Sequence, residues 1–354
     1  MIHRIAEGKR MGGRLVLTFA AALTLCFGAP AVSHAATDSP KVAWDLSLWG
    51  KSRALTANVE KMSEIVGKET GGRFAIKLHY GGALSPPKEN IDGVKLGAFQ
   101  AGLVCPHYAP GKLPASMALF LPFLPISSLN AQKTVDRAFF DHPALVEEYG
   151  RWNVRLVMPT LLAQYETMGT GNPPRTLADW KGVRVRAGGG IGGALKTLGA
   201  SPTSMPAPEV YAALERGLLT AVAFPTYASG AYRLHEISNW YTTDLNLGRG
   251  DCPFIVNKEA WNALPAAYRK IMEDAIPAAL DHQEVAYHDA DKKYLPKFAE
   301  KGLVRIEFSP EERAELVRQG GEPVWNAWVA DAEKNGIPGR ELLDLILKAA
   351  AGAS

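Results

Sequence analysis

VAWDLSLWGKSRALTANVEKMSEIVGKETGGRFAIKLHYGG, residues 42–82, decides the fold class. VAWDLSLW, residues 42–49, reads as a strand. Leu55, Val59, Met62 and Val66 then recur at helical spacing until Gly71-Gly72 stops the helix. FAIKLHY, residues 74–80, is a second strand, and Gly81-Gly82 turns the chain. Outward from this unit, a helix from about Pro87 reaches its C-cap at Gly97, and GLVC, residues 102–105, is a third strand. A β-α-β-α-β order predicts right-handed crossovers around a parallel core.

The alternation recurs further along, which favours an α/β architecture. RLVMPTLL (155–162), GVRVRA (182–187), LLTAVAF (218–224) and PFIVN (253–257) are strand candidates. One helix is expected after Gly193, and another from Pro208 to a C′ glycine at Gly217. From Trp261 the chain reads as mostly helical. Ser309-Pro310-Glu311-Glu312 forms a capping box with proline at the first helical position, and Pro277 and Pro296 are expected to kink or end their helices. Two α/β units and a helical tail suggest two lobes with a cleft between them.

Ahead of these units, Arg4, Lys9, Arg10 and Arg14 precede the apolar run LVLTFAAALTLCFG, residues 15–28, and Ser33-His34-Ala35 supplies small residues at −3 and −1. That is the pattern of an export signal cleaved after Ala35. Leu25 before Cys26 does not suit a lipobox. Four of the 39 basic and one of the 36 acidic residues lie in 1–35, which leaves 35 of each and turns a net charge of +3 into zero. A neutral mature chain without Lys/Arg runs gives no support for nucleic-acid binding. Cys105 and Cys252 remain; export permits a disulfide, and two buried small hydrophobes fit the spacing equally well.

Gly188-Gly189-Gly190-Ile191-Gly192-Gly193 fits GxGxxG between a strand and a helix, with Glu209 further on. SPTSM, residues 201–205, is nevertheless a poor second dinucleotide-fold strand, so the run reads as a turn and no cofactor is expected. No GxSxG, HExxH or EF-hand pattern is present, and the cysteines and histidines form no zinc set. His107, in CPHY, reads as a pocket-wall or structural histidine. Within GVRVRA, Arg184 and Arg186 share one face. An arginine at a strand's C-terminal end, before a glycine-rich turn, can offer a carboxylate its planar fork; on pattern alone, a surface salt bridge is the default reading.

KETGGRF (68–74), YGGALSPPKENIDGVKLGAF (80–99), APGKLP (109–114), LPFLP (121–125), DWKGVRVRA (179–187), LGASPTSMPAPEVYAALERG (198–217) and PFIVNKEAWNALP (253–265) occur in that order. Together they resemble the DctP-type solute receptors of tripartite ATP-independent periplasmic (TRAP) transporters, over nearly the whole mature chain. The resemblance implies a two-lobed α/β fold of the periplasmic-binding-protein kind, type II-like, with a long lobe-bridging helix and a helical C-terminus. The implied division is a signal peptide over 1–35, lobe I over 36–160 with 250–264 returning, lobe II over 161–249, and bridging and C-terminal helices over 265–354. It also implies a periplasmic, non-enzymatic receptor that closes on an organic acid and docks on a membrane permease, with no metal.

Arg186 falls on the family's carboxylate clamp. Phe224 stands where an asparagine often contacts the ligand, Glu166 where sialic-acid-type members place a second arginine, and Ala207 where an aromatic is common. With the clamp kept and its polar neighbours changed, a monocarboxylate is expected, of the oxo, hydroxy or aromatic kind. Phe224, Tyr227, Tyr165, Tyr108 and Trp49 are candidate pocket walls, each equally readable as core. Gln164 and Glu89 are candidate polar contacts, and Glu166 is a candidate partner for Arg186 or for a cationic ligand group. A periplasmic enzyme acting on organic acids, or a sensory receptor, are the alternatives.

Overall fold

The computed structural model describes residues 40–353, so the export signal and its cleavage point lie outside the described residues. β1 (Val42–Ser47) leads through a short 3-10 turn holding Leu55 into α1 (Ala57–Glu69), whose buried stripe is Val59, Met62 and Val66. Gly71 and Gly72 adopt φ of 59° and 76°, a left-handed reversal that a Cβ would oppose. They deliver β2 (Phe74–His79) parallel to β1, with Val42 opposite Phe74. The helix foreseen from Pro87 is α2 (Asn90–Lys95); it starts later because Asn90 turns inward to bond Ser47 and the Leu103 carbonyl. β3 (Ala101–Leu103) pairs with the other side of β1. α3 (Leu129–Phe140), α4 (Pro143–Arg151) and β4 (Val154–Met158) follow.

The chain then crosses to a second sheet through β5 (Glu166–Gly169), β6 (Arg184–Arg186), α5 (Gly189–Thr197), β7 (Ser201–Thr203), α6 (Ala207–Glu215), β8 (Ala221–Phe224), α7 (Thr226–Ala231) and β9 (Trp240–Thr242). β10 (Phe254–Asn257) returns to the first sheet between β3 and β4, antiparallel to both. The first sheet is ordered β2-β1-β3-β10-β4, so its parallel core carries one antiparallel strand. α8 (Lys258–Ala263) opens into α9 (Ala266–Glu300), 35 residues long, which packs on α1 of the first lobe and α7 of the second. Pro277 and Pro296 lie inside α9 and neither ends it; burial of Met272, Ala279, Tyr287 and Phe298 holds the helix through the missing donors.

β11 (Val304–Ile306) completes a second sheet ordered β11-β9-β5-β8-β6-β7. That strand lies in the region read as helical, and three residues are too few to display alternation. β7 occupies SPTSM, where Pro202 is tolerable because the strand is an edge. α10 (Pro310–Gly320), capped by Ser309 and Glu312, and α11 (Glu322–Lys334) pack on α5, while α12 (Gly339–Gly352) packs on α3. The result is a two-lobed α/β fold in which α9 and the C-terminal helices brace both halves.

The glycine run departs from its expected place. Gly188 is the N-cap of α5, and Gly189 to Gly193 form its first turns. A Cβ on Gly190 would lie 2.6 Å from Pro122 Cδ, 2.8 Å from the Phe120 carbonyl oxygen and 2.9 Å from Leu121 Cα. Residues 117–122 thus occupy the space over this helix start that a pyrophosphate would need. The glycines serve close packing.

Between the sheets, residues 159–165 run beside 245–253, joined by Tyr165 N–H to the Gly248 carbonyl and Leu247 N–H to the Tyr165 carbonyl. Buried side chains from α9 and α3 hold this crossover. Gln283 accepts from Leu161 N–H and donates to the Leu55 carbonyl, Tyr287 donates to the Leu161 carbonyl, and Gln132 donates to that of Gly250. Asp251 accepts from Thr160 N–H with both oxygens, at 3.2 and 3.1 Å. Asp136 lies against Asp251, and Arg249 is close by. Burial raises both carboxyls, Asp136 to about 7 and Asp251 well above the usual range, so the pair holds one proton.

Two outcomes follow from this packing. Replacing Gly190 by valine should destabilise the fold by about 2–3 kcal/mol, because the atoms it meets are backbone and a proline ring; an unchanged urea midpoint would refute the close-packing account. The second concerns pH. Unfolded carboxyls release protons near 4, whereas the folded pair retains one toward neutrality, so the associated stability is complete below about pH 4 and lost as pH rises through about 7. The melting temperature should fall between pH 5 and 8, and Asp136→Asn should flatten that fall; an identical slope in the variant would remove the pair as its source.

Candidate functional site

β6 ends at the crossover between the lobes, and its alternation separates three side chains. Val185 is buried in the sheet, and Arg184 stays exposed, bonding the Gly217 and Leu218 carbonyls. Arg186, one step deeper, is 0% exposed. Its Nε donates to the Met205 carbonyl at 3.1 Å, one Nη to the Ala223 carbonyl at 3.2 Å and the other to His107 Nε2 at 3.2 Å. The guanidinium carbon lies 4.1 Å from the centre of the Phe224 ring. Among the hydrogen-bond partners only His107 comes from the first lobe, from the 3-10 turn Pro106–Tyr108 after β3.

His107 is neutral, since burial first and the Arg186 charge second depress its pKa well below the usual value. A guanidinium has no acceptor, so Nε2 accepts and the ring proton resides on Nδ1. That Nδ1 is buried and has no hydrogen-bond partner. Trp49 Nε1, Arg53 Nε and the Tyr232 hydroxyl are likewise buried without partners. All four residues line one cavity of about 20 Å³ between the lobes.

Trp49, Tyr108, Tyr165, Phe224 and Tyr227 also meet at this cavity, and Arg186 adjoins it behind Phe224 and His107. Burial raises the Tyr165 hydroxyl to about 12 against the pull of the Arg186 charge beside it. Tyr108 accepts from Ala207 N–H, and Ser204 donates to the His107 carbonyl, so both lobes are in contact here. A disulfide joins Cys105 to Cys252 with Cα atoms 4.2 Å apart. Both cysteines line the cavity, and the bond ties the segment carrying His107 to the strand returning toward β10.

Gln164, Glu166 and Glu89 lie elsewhere. Gln164 accepts from Gly248 N–H. The Glu166 carboxylate accepts from the Thr242 hydroxyl and from Leu245 and Asn246 N–H, while burial raises its pKa to about 7. It makes no pair with Arg186; a backbone loop already takes its oxygens. Glu89 is exposed at the start of α2.

Arg53 and Tyr232 were not legible as site residues. Arg53 lies beyond the end of β1 and after Gly50, at the N-cap of the 3-10 turn, so the strand-end criterion applied to Arg186 does not reach it. Its Nη1 donates to the Trp49 and Lys51 carbonyls, and its guanidinium carbon lies 5.9 Å from the Trp49 ring and 5.6 Å from the Tyr232 ring. Tyr232 in turn stacks on Phe224, ring centres 6.2 Å apart at 18°. Among the described residues, no aspartate or glutamate lines the cavity. Among the described residues, no cluster of three or more His, Cys, Asp or Glu is placed to hold a metal.

A wall of aromatic rings and hydrogen-bond donors beside a buried guanidinium suits a small anion. The chain is 27% identical over 248 residues to a monocarboxylate 2-oxoacid-binding periplasmic protein of Nostoc sp., covering 67% of this chain and 65% of that one. It is 26% identical to the C4-dicarboxylate-binding periplasmic protein DctP of Rhodobacter capsulatus, covering 86% and 90%. Its fold superimposes, with a TM-score of 0.80, on a TRAP solute-binding protein from Rhodoferax ferrireducens T118 in complex with copurified benzoate, at 22% identity and covering 88% and 98%. Residues 47–331 match the DctP family, bacterial extracellular solute-binding protein family 7, and the chain belongs to that family.

Proposed function

We propose that this protein is a periplasmic receptor that captures a small monocarboxylate, an oxo, hydroxy or aromatic acid, through Arg186 and delivers it to a TRAP membrane permease. The observation that carries the reading is Arg186 itself: a fully buried guanidinium beside a cavity whose wall holds no carboxylate. Three of its five N–H groups meet neutral acceptors, which leaves the charge uncompensated in a water-poor site. A ligand carboxylate forms charge-assisted bonds roughly twice as strong as neutral ones, so it displaces the neutral His107 nitrogen from the outer Nη. The relatives' names point the same way, since a 2-oxoacid, a C4-dicarboxylate and benzoate share the carboxylate.

The anchor belongs to the second lobe and its competitor, His107, to the first. Ligand binding therefore exchanges a contact between lobes for one between lobe and ligand, and affinity for the closed form drives closure. Burial holds His107 well below its usual pKa, so it stays neutral across the physiological range and affinity should be nearly flat between pH 6 and 8.

A thermal-shift screen of oxo, hydroxy and aromatic monocarboxylates should yield a ligand, which stabilises the fold by about 2.7 kcal/mol at a hundredfold excess over Kd. Calorimetry with that ligand should then show Arg186→Ala weakening affinity about 30- to 1000-fold, or ~2–4 kcal/mol. Equal affinity in a variant that still melts cooperatively would remove Arg186 as the anchor.

A further inference from the structure

Arg186 is not the sole guanidinium at the cavity, and the second has no assigned task. A run of contacts connects the two: Arg186 over Phe224 at 4.1 Å, Phe224 stacked with Tyr232 at 6.2 Å, and Tyr232 against Arg53 at 5.6 Å. Tyr232 feels the charge of both arginines. Around Arg53, the buried atoms left without partners are Arg53 Nε, Trp49 Nε1 and the Tyr232 hydroxyl. The first two can only donate and the third can donate. Leaving such buried donors unmade is unfavourable, so together they mark a place built for an acceptor. Backbone geometry makes room for it: Gly50 takes φ of 67°, and a Cβ there would lie 2.7 Å from the Tyr232 hydroxyl oxygen and 3.0 Å from Arg53 Nη1.

We infer that Arg53, with Trp49 and Tyr232, reads a second, neutral oxygen acceptor on the ligand, a keto oxygen, away from the carboxylate that Arg186 holds. This rests on the proposed carboxylate reading and deepens it. Arg53 and Trp49 belong to the first lobe, Arg186 and Tyr232 to the second. A ligand with two acceptors therefore bridges the lobes, and its second group acts only once they meet. A simple acid lacking that group engages Arg186 and gains little from closure. An ammonium group is disfavoured at this end, because the Arg53 guanidinium and the donors of Trp49 and Tyr232 face it.

The test uses two series that share a skeleton: pentanoate, 4-oxopentanoate and glutarate; and benzoate, 3-acetylbenzoate and benzene-1,3-dicarboxylate. By calorimetry on the mature protein, the oxo member of at least one series should bind about tenfold or more tighter than its parent, and a dicarboxylate that binds tighter than the oxo acid overturns the reading of a neutral acceptor. Arg53→Met should reduce the preference for the oxo acid below about threefold. Tyr232→Phe, which deletes one hydroxyl, should lower it by a smaller factor and serves if Arg53→Met fails to fold. Equal binding of parent and acceptor-bearing acids, or a preference that survives both variants, overturns the inference. Should Arg186→Ala abolish binding while Arg53→Met leaves the preference intact, the carboxylate anchor stands and the second reader falls. Should Arg186→Ala bind every acid as well as the parent protein does, or no member of either series bind at all, both readings fall.

Discussion

Arg186 is a full positive charge removed from water with no carboxylate beside it, and much of the surrounding architecture exists to hold it there. Desolvating an ion costs several kcal/mol even after relaxation. Two carbonyls, a neutral imidazole and an aromatic face 4.1 Å away return part of that cost, the ring contact being worth up to about 2 kcal/mol when desolvated. Each acceptor comes from a different element: the loop after β7, the end of β8 and the turn after β3. The position of the guanidinium is therefore fixed by both sheets together, and a shift of one lobe changes what the charge meets.

Such a charge can serve reversible capture only if the lobes move without unravelling. Here the two crossover segments are gripped by Gln283 and Tyr287 from α9, by Gln132 from α3, and by Asn58 from α1, which bonds Thr160 and the Pro159 carbonyl. The disulfide fixes the base of the first-lobe turn to the returning segment. The shared proton of Asp136 and Asp251 keeps this buried cluster close to neutral beside Arg249, which is why the crossover can be both polar and dry.

How much of this could be read in the sequence depends on range. The opening β-α-β unit was legible because Val59, Met62, Val66 and the Gly71-Gly72 stop are local signals. β7 and β11 were not, because three residues carry too little pattern and their pairing is decided by distant strands. Pro277 and Pro296 misled for a related reason: local chemistry argues for a break, and burial along α9 outweighs it. At the site, alternation put Arg184 and Arg186 on one face but could not tell that one lies at the rim and the other at 0% exposure. Glu166 was chosen by family position and Gln164 as a polar neighbour, and backbone N–H groups of Leu245, Asn246 and Gly248 meet their oxygens. Arg53 and Tyr232, 179 positions apart, meet only in the folded chain.

That long-range meeting settles the chemical character of the cavity. Its rings could be mistaken for a simple apolar core, since Trp49, Tyr108, Tyr165, Phe224 and Tyr227 are each at least nine-tenths buried. Core packing, however, does not leave indole, imidazole and phenol donors unpaired around one small space, because buried polar groups are ordinarily satisfied. Nor does it place two guanidiniums beside that space without a carboxylate on its wall. Apolar surface supplies the gain from expelling water, whereas the donors set the sign and placement of what enters. A hydrocarbon satisfies the first requirement and leaves every donor unmade; a cation opposes both charges. On the proposed reading, an acid with a compact carbon body meets both demands at once, with Arg186 at full burial and Arg53 at partial burial to orient it.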